Sequence, residues 1–201
     1  MAKLIFADRF QCNGMNQSNR FKQTNAFAMQ YGLLLGAWGI ISLCVMGLSL
    51  RLPSLSFIAM LMSVGSPVIA VMLTSRFRKA SATAEEGFSF GKGFLFAFMT
   101  GIYASIWVAA FVYVYMAYLD GGYFFNAYEA MVRQPEYAAQ LEESGIMASL
   151  EPAGGLEAVI DAMRAIPPAN YAGMVIYLTV LTSPVVSALV ALVCRRRPAQ
   201  W

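Results

Sequence analysis

The stretch FLFAFMTGIYASIWVAAFVYVYMAYL, residues 94–119, contains no Asp, Glu, Lys or Arg. About 20 apolar residues in a helix cross the hydrocarbon of a bilayer, so this run is long enough to span. It is also patterned. Gly93, Ala97, Gly101, Ser105 and Ala109 recur every fourth residue, and Tyr103, Trp107, Phe111 and Tyr115 recur likewise, two positions away. Two positions are about 200° of helix rotation. One face is therefore small and the opposite face aromatic. Small faces let helix backbones approach closely in lipid. The aromatic stripe reads as lipid or interface packing, or as a wall on which a ligand stacks.

Three further runs, 28–50, 55–74 and 171–194, are equally free of charge. They are continuous, whereas a β-barrel strand is short and alternating. The whole chain agrees: 59% of residues are hydrophobic, 12% are charged, and the mean hydropathy is +0.58. Soluble domains carry about a quarter charged residues. The expected fold is all-α, a polytopic membrane protein with four transmembrane helices and a short helical extramembrane segment between the third and fourth. The expected organisation is an N-terminal arm (1–27), helices one to three (28–119), an acidic helical segment (120–169), and helix four with a basic end (170–201). The opening MAKLIFADRF is not read as a signal peptide, because Asp8 and Arg9 interrupt its short apolar run.

Eleven of the fourteen Lys and Arg fall in the N-terminal arm, the second connection and the C-terminus; the other three are Arg51, Arg133 and Arg164. The positive-inside rule then puts both termini in the cytoplasm of a plasma (inner) membrane and residues 120–169 in the periplasm. That outer segment carries eight acids against two arginines. The basic residues flank spans, so membrane lipid, not nucleic acid, is their expected partner.

In the outer segment, Asn126 is a candidate helix cap and Gly145 a stop, with Pro135 kinking or splitting the helix between them. LEAVIDAMRAI, 156–166, spaces Leu156, Val159, Ile160 and Met163 as one helical face. A cap over the spans is favoured over a helix on anionic lipid. Glu142 and Glu143 read as a solvated helix end.

The spans suggest how they pack. Gly32 and Gly36 make a small face on the first, and Gly93, Ala97, Gly101 and Ser105 on the third, so these two are expected to make the tight contacts. The second and fourth share Ser-Pro-Val, at Ser66–Pro67 and Ser183–Pro184. Each proline disrupts the bond to the residue four earlier, Ser63 or Val180. Ser63, Ser66, Thr182 and Ser183 are placed to satisfy the freed carbonyl. A groove beside the two Ser-Pro pairs is the candidate ligand surface.

Chemistry is poorly supplied. Histidine is absent, the three cysteines form no CxxC, and no Asp, Glu, Lys or Arg lies within a span. Ion-coupled transport usually needs such a residue. No catalytic residue, metal site or cofactor is expected, and the chain is not read as an enzyme. EEGFSFGKGF, 85–94, lacks the G-x-x-x-x-G-K-[ST] spacing of a phosphate loop. It reads as a membrane re-entry seam, with Phe88 and Phe90 wedged in the interface and Lys92 reaching headgroups.

With YGLLLGAWGII (31–41), a basic-ended second span, GFSFGKGF (87–94) opening a long third span, an outer amphipathic segment and a basic-ended last span, the chain resembles the domain of unknown function 4199 family. The resemblance covers about residues 28–197. It implies a small bacterial integral membrane protein of the kind typical of Bacteroidetes, and assigns no activity. The leading functional expectation is a non-enzymatic scaffold, accessory subunit or homo-oligomer with a membrane-protein partner. The alternative is lipid or small-molecule translocation or handling, with the resemblance adding a link to lipid-linked sugar metabolism.

Overall fold

The computed structural model describes residues 2–81 and 87–196, and side chains from Phe21 onward except Ala153. The basic residues of the N-terminal arm before Phe21, the two acids that open EEGFSFGKGF and the residues from 197 onward lie outside the described side chains.

The chain is all-α. Helix α1 (Ala2–Ser49) is followed by a 3-10 turn (Pro53–Leu55) and α2 (Ser56–Ser81). Helix α3 (Phe90–Val114) runs on into a π-helical turn (Tyr115–Leu119). Four shorter helices follow: α4 (Tyr123–Val132), α5 (Pro135–Glu143), α6 (Ile146–Leu150) and α7 (Gly155–Arg164). Helix α8 (Pro168–Cys194) closes the order. Among the described residues, four segments are long and apolar enough to cross a membrane: Phe21–Ser49, Pro53–Ser81, Phe90–Leu119 and Pro168–Cys194. Each is longer than the run read from the sequence, because helix continues past the apolar residues into the flanks.

Local chemistry sets the breaks. Leu48 holds the end of α1, its carbonyl accepting from the backbone N–H groups of Arg51 and Leu52. After α3, Gly121 and Gly122 take φ +52° and +83°, where a side chain is strained. The Asp120 carboxylate accepts from the Phe124 N–H at 2.9 Å and so caps α4. Asn126 therefore lies inside α4 and does not start it. Pro135 begins α5 after extended Gln134, so the expected long outer helix is split in two.

The chain forms two compact units. The first comprises 1–36, 67–104 and 179–201. Its core gathers Ala28 from α1, Phe77 from α2, Phe96 and Ala97 from α3, and Val190 and Cys194 from α8, with Phe88 from the α2–α3 connection. The second comprises 37–66 and 105–178. There the Trp38 indole donates to the Met62 carbonyl at 3.2 Å and lies against Gly65. Phe125, Ala127 and Val132 of α4 and Ile160 of α7 are buried. Phe125 meets Tyr171 at the start of α8, and the Tyr171 hydroxyl donates to the Met163 carbonyl at 2.6 Å. The Arg51 guanidinium stacks over the Tyr123 ring at 4.2 Å, a cation–π contact.

Candidate functional site

In the first unit, aromatic rings and a buried cluster gather where α2 and α8 end and α3 begins. Phe77 stacks nearly parallel on Phe96, centroids 4.1 Å apart, and meets the edge of Phe88 at 6.1 Å. Phe27 packs on Phe77, and Tyr31 sets its edge to Phe96. Five rings from three helices and a connection thus fill one volume. Parallel offset and edge-to-face pairs are the arrangements aromatic quadrupoles favour.

Phe88 corrects the reading of the seam. It is 1% exposed, a core residue and not an interfacial wedge. The cause is a backbone tie: the Phe88 N–H donates to the Arg196 carbonyl at 2.9 Å, and the Arg196 N–H returns to the Phe88 carbonyl at 3.1 Å. Gly87, at φ +65°, turns the chain into that pairing. Phe90 alone of the two rings is exposed. The Ser89 hydroxyl accepts from the Lys92 N–H at 3.4 Å, capping α3.

Cys194 completes this end. Its buried thiol donates to the Val71 carbonyl at 3.6 Å and lies 3.5 Å from the Ser75 hydroxyl. Arg78 donates to the Cys194 carbonyl at 2.9 Å. A guanidinium there meets both an orphan carbonyl and the negative end of the α8 dipole. Neither Phe77 nor Arg78 stands out in the basic end of the second span, TSRFRK (74–79). Cys194 likewise carries no redox or metal motif to mark it.

The small-residue faces meet different partners. A Cβ on Gly32 would sit 2.5 Å from the Tyr103 Cβ and 3.2 Å from the Thr100 carbonyl, so α1 meets α3 there. Asn25 reinforces this, accepting from the Tyr103 hydroxyl at 2.7 Å. The Gly93–Gly101 face of α3 turns instead to α8. A Cβ on Gly93 would lie 3.4 Å from Ala191 and 3.0 Å from the Phe88 ring, and one on Gly101 would lie 2.9 Å from the Ser183 hydroxyl oxygen. The two glycine rows do not face each other. One row meets a mixed face of α3, which frees the other for α8. Gly36, Ala97 and Ser105 are buried. In the aromatic stripe, Trp107 is 49% exposed, while Tyr103 is bonded to α1.

Of the residues expected beside a groove, Ser66 belongs to the second unit and Pro67, Ser183 and Pro184 to the first. Ser183 is buried against Gly101, whereas Pro67 and Pro184 face outward. Both helices continue through their prolines. The Ser63 and Ser66 hydroxyls donate to Ala59 and Met62, each four residues back, and not to the carbonyl that Pro67 frees. Ser42, Thr74 and Thr100 back-bond in the same way.

In the second unit, an ionic network clamps α4 to α7. Arg133 bonds Glu129 at 2.8 Å and Glu157 at 2.6 Å. Arg164 bonds Glu129 at 2.8 Å, Asp161 at 3.2 Å and the Asn126 side-chain oxygen at 2.8 Å. The Arg133 hydrogen bond, helped by Arg164, holds the Glu129 carboxyl below its ordinary pKa, and Glu157 and Glu129 raise that of Arg133. Glu142 and Glu143 are exposed at the end of α5. Among the described residues, no three His, Cys, Asp or Glu come together as metal ligands.

Four apolar helices of spanning length on an all-α chain define a multi-pass helical membrane protein. The model of the family described as Protein of unknown function (DUF4199) matches residues 30–196, and the chain belongs to that family. No curated protein and no solved structure matches it.

Proposed function

We propose that this is a non-enzymatic bacterial inner-membrane protein that works as a scaffold, as an accessory subunit or as a homo-oligomer. The observation that carries the reading is how the spans use their polar groups. Ser42, Ser63, Ser66, Thr74 and Thr100 all donate to their own helix, and Tyr103, Trp38 and Arg78 tie helices to one another. Hydroxyls so engaged hold structure and are not poised over a substrate. Large apolar side chains remain outside, among them Phe57, Met60 and Val64 on α2 and Val185, Leu189 and Val193 on α8. In a membrane such faces meet lipid or another helix.

The orientation proposed puts both termini in the cytoplasm and residues 120–169 in the periplasm. The eleven basic residues at the termini and second connection support it. The test of function is co-capture of an untagged copy, or of a second polypeptide, by the tagged protein from native membranes in mild detergent. Recovery of the tagged chain alone contradicts the proposal.

A second reading, lipid or small-molecule handling, with an accessory place in lipid-linked sugar metabolism, rests on one feature. Pro67 and Pro184 lie on outward faces beside exposed Val68 and Val185. Lipid exchange by the purified protein in vesicles, lost on Pro67→Ala with Pro184→Ala, is its test.

A further inference from the structure

The end of α2 and the end of α8 are locked together. Ser75 and Arg78 both contact Cys194, and the Phe88 backbone pairs with Arg196. These ties fix the cations beside them. Lys79 follows Ser75 by four residues and so continues the α2 face that meets Cys194. Arg195 and Arg196 follow Cys194 directly. Arg76 continues the face of Met72, four residues before it. The side chains of Arg76, Lys79, Arg195 and Arg196 are all exposed, and the described residues supply none of them with an ion pair. Arg78 is different, since it donates to the Cys194 carbonyl. The described side chains of this unit, which begin at Phe21, include no Asp or Glu. Four like charges are thus gathered by packing that their mutual repulsion opposes. Apolar surface adjoins each pair: Met72 before Arg76, and Leu192 and Val193 before Arg195, all exposed.

We propose that this rim binds the headgroup of an anionic phospholipid. The arginines and Lys79 take the phosphate and any further headgroup charge. Met72, Leu192 and Val193 lie along the acyl chains. Guanidinium groups suit the site because they offer a planar fork of donors to phosphate oxygens. A soluble anion would gain from the charges but not from the apolar strip. The inference goes beyond the scaffold reading and does not depend on it, since a monomer or an oligomer can hold the lipid.

The test is native mass spectrometry of the full chain taken from vesicles of equal phosphatidylglycerol and phosphatidylcholine. Wild type should retain phosphatidylglycerol severalfold over phosphatidylcholine. The variant Arg76→Gln/Lys79→Gln/Arg195→Gln/Arg196→Gln should retain the two equally, while Arg51→Gln, in the other unit, should keep the preference. If the quadruple variant does not fold, salt decides on wild type alone. Near 1 M salt, screening shortens to about 3 Å, and the phosphatidylglycerol preference should fall with phosphatidylcholine retention unchanged. Equal retention by wild type overturns the proposal. So does a preference that survives both the substitutions and the salt.

Discussion

Phe88 illustrates how one side chain can join elements far apart in sequence. Its ring fills the space beside Phe77 while its backbone pairs with Arg196. Truncation to alanine leaves those two backbone bonds and removes only the plug. Lipid tails are as apolar as the core, so the loss is mainly the cavity, about 2 kcal/mol. Thermal unfolding of Phe88→Ala in detergent should fall accordingly, with Phe90→Ala, at an exposed ring, close to wild type. The glycines offer a second contrast. Gly32→Ala forces a methyl against the Tyr103 Cβ and the Thr100 backbone, whereas Gly47 has nothing within 4 Å of where a methyl would go. Overpacking costs about 1–3 kcal/mol, and a helix-interior Gly→Ala without a clash gains about 0.5–1 kcal/mol. Gly32→Ala should destabilise and Gly47→Ala should not, by the same unfolding measurement. Gly93→Leu should also destabilise, since the Phe88 ring and Ala191 already bound the space. That Gly32 and Gly93 occupy small faces was legible in their four-residue spacing. Which helix each meets was not, because spacing fixes a face and not its partner. Phe88 was read as interfacial because its burial depends on a backbone pairing with a residue more than a hundred positions away.

At the scale of elements, the clamp between α4 and α7 depends on Glu129, the carboxylate shared by Arg133 and Arg164. Its pKa lies below the ordinary 4.5, mainly through the Arg133 hydrogen bond. A carboxylate whose folded pKa is depressed binds fewer protons folded than unfolded. Its contribution is therefore complete above the ordinary value and is lost as pH falls through the folded one. A carbon-detected NMR titration should place the Glu129 midpoint below 4.5, and Arg133→Gln should move it back up. Amide exchange in α4 and α7 at neutral pH should speed in that variant, and exchange in α3 should not change. An unmoved midpoint would mean that the pair is too solvated to matter, as many exposed pairs are. The spans were readable as uncharged runs because crossing lipid demands little else of composition. The outer boundaries were less so. Asn126 resembles a cap, yet Gly121, Gly122 and the Asp120 carboxylate start α4 four residues earlier. Pro135 did declare its break, since a proline without an N–H fits the first turn of a helix and not its middle.

For the whole molecule, the proposed orientation makes a direct prediction. A reporter active only outside the cytoplasm should work when fused after Gly145 and fail when fused at the C-terminus. The reverse pattern would place the basic ends outside and contradict the orientation. The role proposed here is that of a protein that holds others, or copies of itself, in the membrane. Membership of the DUF4199 family fixes its kind and leaves that role to experiment. The most direct measurement is the native mass of the protein released from its own membrane in mild detergent. The expected particle holds at least two 22.0 kDa chains, or one chain with a stoichiometric second polypeptide. A single 22.0 kDa chain carrying only lipid and detergent would contradict it.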